Sequence, residues 1–173
     1  MWTARVEADT GEILYPLIAR GFTAGKGLLA FHSPLLLYCE QVAFEEDQPW
    51  FAKLDMHLKG KLCERAQSFL NSVIGGDWDY GDDEFEIFLA RNGGSSVTET
   101  EFRDAVDRAR NAWTSASLLI SDLEAIIEGL KAGQLADPVW YELSYLIEEL
   151  EALRDTILLL KNRYAKKVRL NIE

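Results

Sequence analysis

The densest local chemistry in this sequence is Asp77-Trp78-Asp79-Tyr80-Gly81-Asp82-Asp83-Glu84, where five carboxylates and two large rings surround one glycine. Carboxylates at this density could hold a hard cation, and the run opens like a calcium loop. Its glycine falls at the fifth position rather than the sixth, and its twelfth residue is Phe88 rather than a bidentate Glu, so it is not an EF-hand. Three readings remain. One is a looser Mg²⁺ or Ca²⁺ site, and another is a solvated turn ahead of a strand. The third is a recognition loop, in which aromatic rings framed by acids anchor a basic partner. On that third reading Asp77, Trp78, Asp79, Tyr80, Asp82 and Asp83 are the partner-binding residues.

Histidine and cysteine offer less. His32 and Cys39, then His57 and Cys63, lie seven and six residues apart, looser than the tight pairs of structural zinc sites. Both cysteines fall in apolar surroundings where a free thiol is a common core residue. The turn Gly21-Phe22-Thr23-Ala24-Gly25-Lys26-Gly27 resembles a phosphate loop, but it has three residues between its first glycines. It also has Gly27 where a magnesium-binding hydroxyl should stand. No catalytic residue, metal or cofactor is expected from these patterns.

Whatever chemistry exists must be positioned by a few strong elements, and the strongest is helical. Phe102, Val106, Ala109, Trp113, Ala116, Ile120, Leu123, Ile127 and Leu130 are spaced alternately by four and three. Val139, Leu143, Leu146, Leu150, Leu153, Ile157, Leu160 and Tyr164 repeat the pattern. Each series is a heptad seam. Thr98 and Glu101 make a capping box, Lys131 and Gly133 close the first helix, and Asp137-Pro138 opens the second. The spacing therefore predicts an antiparallel, coiled-coil-like hairpin from Thr98 to about Lys166, its paired residue numbers summing to about 269. Trp113 would meet Ile157, Leu123 would meet Leu146, and Val106 would meet Tyr164. Secondary stripes, Ala105-Ala112-Leu119-Ile126 and Tyr145-Ala152-Leu159, call for a third layer: the N-terminal half or a second copy.

Ahead of the hairpin, residues 2–8 alternate as a strand, Asp9 to Glu12 turn, and Ile13 to Arg20 return with Pro16 bending the run. A short strand is expected at Leu28–Phe31 and a helix from Ser33-Pro34. Phe51 to Val73 reads as a helix interrupted at Gly60, and Glu84–Arg91 as a strand. The fold class is thus α+β: a small strand-and-helix body over 1–94, then a helical hairpin over 95–173.

The 173 residues carry a net charge of −11, against a general nucleic-acid binder, which needs cations to displace counterions. Lys161, Arg163, Lys166, Lys167 and Arg169 make a basic tail that the hairpin register would lay beside Glu99, Glu101, Asp104 and Asp107. No apolar run reaches the roughly 18 residues of a membrane span. Met1 to Glu7 has no apolar signal segment, so a cytoplasmic location with reduced thiols is expected. These features lead to a non-enzymatic module that binds a protein, a basic one being the natural match to its acidic surface, or its own copy as a homodimer. The alternatives are an acidic inhibitor, such as an immunity protein, antitoxin or DNA mimic, and a small enzyme with an acid-lined metal site.

Overall fold

Ala4, Val6 and Ala8 alternate with Arg5 and Glu7, and this period of two forms strand β1 (Ala4–Ala8). The computed structural model describes residues 3–25, 27–31, 48–71, 85–86, 97–110, 113–133, 135–137 and 142–172. In it β1 lies in a four-stranded antiparallel sheet with β2 (Ile13–Leu14), β3 (Thr114–Ser115) and β4 (Lys167–Ile172), in the order β2-β1-β4-β3. Ala4 faces Ile172 and Ala8 faces Val168, so residues from the two halves of the chain make the centre of the sheet. Between the strands, Asp9 to Gly11 turn, with Gly11 at φ 91°, a left-handed conformation that glycine adopts freely.

The expected strand at Leu28–Phe31 is a 3-10 helix, Gly27–Phe31. Helices α1 (Gln48–His57) and α2 (Glu64–Asn71) are parted near Gly60, which takes φ 84° and ends the first of them, as the sequence indicated. Phe85 and Glu86 are helical rather than extended. Helix α3 (Glu99–Arg110) begins with the expected capping box: the Glu101 N–H donates to Thr98 Oγ1 at 3.2 Å, and the Thr98 N–H donates to Glu101 Oε2 at 3.0 Å.

The first helix of the hairpin is not continuous. It stops at Arg110, and Thr114–Ser115 join the sheet as β3 before α4 (Ala116–Ala132) begins. The Ser115 hydroxyl accepts from the Leu118 N–H and caps α4. The second helix is described as α5 (Leu143–Asn162), and Asp137 accepts the Leu143 N–H at 2.8 Å; Pro138 lies outside the described residues. Helices α4 and α5 pack together as the antiparallel hairpin, but in another register. Ser115 faces Lys167 and Lys131 pairs with Glu151, so partners sum to 282 rather than about 269. Strand β3 imposes the difference, because its ladder with β4 fixes where α4 starts.

Two seam residues are displaced as a result. Trp113 is 37% exposed, with the Arg169 guanidinium 4.8 Å above its ring, and Tyr164 is 88% exposed in the turn after α5. Tyr164 takes φ 74° as the C′ residue of a Schellman motif: its N–H donates to Lys161 O, and the Ala165 N–H donates to Leu160 O. The secondary stripe does find its third layer, since Leu119 and Ile126 are fully buried. They share one core with Leu123, Leu150 and Leu153 of the hairpin, Val6 and Leu170 of the sheet, and Leu58 and Phe69 of the N-terminal half.

Candidate functional site

The residues expected to bind a partner, Asp77, Trp78, Asp79, Tyr80, Asp82 and Asp83, lie outside the described residues, as do His32 and Cys39. Candidate sites therefore rest on other groups, and two stand out.

The first is a carboxylate cradle. Glu149 sits on the stripe of α5 that carries Tyr145 and Ala152, and it is 6% exposed. Its carboxylate accepts the backbone N–H groups of Gly25, Gly27 and Leu28, the last at 3.0 Å. The phosphate-loop look-alike is thus a real anion nest, and the chain's own carboxylate fills it. Gly27 permits this approach: a Cβ there would stand 2.6 Å from Glu149 Oε2 and 3.3 Å from Leu146 Cα. Burial pushes the Glu149 carboxyl from its ordinary 4.5 up to about 7, against the pull of the three N–H groups, which favour the charged form. At the rim, Arg20 pairs with Glu148 at 3.2 Å and stacks 4.1 Å from the Tyr145 ring centroid. Sequence inspection passed over Glu149. The available signal was one acid in an apolar stripe, together with a Gly-Lys-Gly turn.

The second is the sheet face opposite the core. Across it run Ile13, Glu7, Arg169 and Trp113, and beside them Arg5 and Asn171. Glu7 pairs with Arg5 at 3.1 Å and with Arg169. Two cations of the basic tail are therefore paired by the β1–β2 hairpin: Arg169 meets Glu7 and Arg163 meets Glu12, while the Lys166 backbone N–H donates to Asp9 Oδ1. At the margin of this face the extended segment 13–18 alternates. Leu14, Pro16 and Ile18 turn inward, while Ile13, Tyr15 and Leu17 are 44%, 51% and 66% exposed, with Phe22 exposed in the following turn.

His57 has a structural task. Its Nε2–H donates at 2.7 Å to Gly129 O, one of the last carbonyls of α4, and its ring occupies the space where a side chain on Gly133 would stand. That close approach explains Gly133, which is extended rather than left-handed. Among the described residues no group of three or more His, Cys, Asp or Glu could hold a metal ion, and no helix is long and apolar enough to cross a membrane. Compared with known proteins, the chain matches no family model, no curated protein and no solved structure.

Proposed function

We propose that this protein is a non-enzymatic protein-interaction module. The observation that carries the reading is the row Ile13, Tyr15 and Leu17 with Phe22, four large apolar side chains left in water within ten residues. Exposed apolar residues scattered singly are ordinary, but an alternating row along one edge of a sheet is a contiguous surface of the kind partners cover. The backbone adds to it. The Ala8 N–H donates to Glu12 O, so hydrogen-bonded pairs recur at Val6–Leu14, and the peptide groups of Ile13 point to the open edge. Leu158 and Leu159 on α5, with Leu118 on α4, are further exposed apolar positions on the hairpin.

A photo-crosslinking residue placed at Tyr15 or Leu17, in the cells that make the protein, tests this. Discrete protein adducts are expected at both positions and not at the exposed control Glu124; adducts at neither, or the same adducts at all three, overturn the reading. The adduct mass separates a homodimer from a complex with a different protein. The acidic-inhibitor reading draws on Glu99, Glu101, Asp104 and Asp107, all exposed on α3. It predicts binding that weakens steeply with salt, whereas contact through the apolar row persists.

A further inference from the structure

The Glu149 cradle joins two parts of the fold that are far apart in sequence. One is the turn leading from the apolar row into the 3-10 helix, tied to the sheet where the Ala4 N–H donates to Ala24 O. The other is the middle of α5. A carboxylate at this position has two fates. Closed, it is out of water and held by Gly25, Gly27 and Leu28; open, it is hydrated like any surface acid.

No cation among the described residues offsets its charge. On the turn, Arg20 is committed to Glu148, and on α5 itself Tyr145 lies under Arg20 rather than at the carboxylate. The 3-10 helix contributes no acid or base. On β1, Arg5 and Glu7 pair with each other on the other face of the sheet. On α4, Lys131 is held by Glu151 and Asp122 by Arg65, the latter a bidentate pair from α2 at 2.7 and 2.8 Å. Among the described residues, the groups that favour the ionised form are thus backbone N–H groups.

We propose that Glu149 and the backbone N–H groups of Gly25, Gly27 and Leu28 form a pH-sensitive latch, closed in acid and released as the carboxyl ionises. The sign follows from the environment. Burial raises the closed-state carboxyl to about 7, and opening returns it to near 4.5. The closed form therefore holds its proton through a range in which the open form has lost it, so rising pH across that range favours opening. Below about 4.5 both forms are protonated and the preference is fully present; above about 7 both are ionised and the loss is complete.

Native-state hydrogen exchange of the Leu28 amide, corrected for intrinsic rate, reads the opening directly. Its opening constant should rise on the order of a hundredfold between pH 4.5 and 7.5 and then level off. Glu149→Gln, which keeps an oxygen acceptor but cannot ionise, should make it flat over the same range. An opening constant independent of pH in the unaltered protein, or the same pH profile in the Gln variant, overturns the latch. Should the variant fail to fold, a carbon-13 NMR titration of the native Glu149 carboxyl decides alone: a midpoint near 7 supports the latch, and one near 4.5 removes it.

Discussion

Tyr164 shows how a single residue can run against its own conformational preference. It occupies the left-handed C′ position of α5, where glycine is free of strain and a tyrosine is not, and its ring gains no burial in return. Tyr164→Gly should therefore raise stability by about 0.5–1 kcal/mol in urea denaturation, the left-handed strain outweighing the added freedom of the unfolded chain. A loss instead would mean that the ring packs on its neighbours in solution. An exposed aromatic retained at a strained position is a feature that binding surfaces show more often than cores do.

At the scale of elements, the heptad pattern was legible and its register was not. A seam with a period of seven looks alike to its partner after any whole-heptad slide, so about 269 and 282 present nearly the same stripes to each other. The choice was made outside the helices, by Thr114–Ser115 pairing with Lys167 and Val168. A two-residue strand is too short for alternation to reveal. Strand β4 was hidden for another reason: Tyr164 continued the helical spacing up to the edge of Lys167–Ile172, whose Val168, Leu170 and Ile172 alternate inward. The cradle was half legible, as a glycine-rich anion nest without its anion, because Glu149 lies 121 residues from Leu28. At the other end of α4, close approach rather than turn geometry selects a glycine. Gly133→Ala should cost roughly 1–3 kcal/mol by pushing the His57 ring off Gly129 O. In a His57→Ala background the same change should cost little; equal losses in both backgrounds would show that the two residues do not collide.

For the whole molecule the latch has a thermodynamic counterpart. A buried carboxyl held near 7 stabilises the fold below about pH 4.5, and that contribution is lost as pH rises through 7. The stability of the native protein relative to Glu149→Gln should accordingly fall by about 3 kcal/mol between pH 4.5 and 7.5, measured by denaturant unfolding of both at each pH. A constant difference would place Glu149 in water. Every other carboxylate of this strongly acidic chain is common to the two proteins, which is why the difference, and not either curve alone, is diagnostic. The sheet order carries a consequence for how the molecule is made. On a ribosome β1 emerges long before β4, its neighbour at the centre of the sheet, has been made. Until then β1 has β2 on one side and an unsatisfied row of peptide groups on the other. The α4–α5 hairpin is local and can form during synthesis, while the sheet must wait for closure of the long loop between β1 and β4. The nascent protein is thus exposed to strand-on-strand association until β4 pairs with β1, and any factor that shields β1 from other chains would act in that interval.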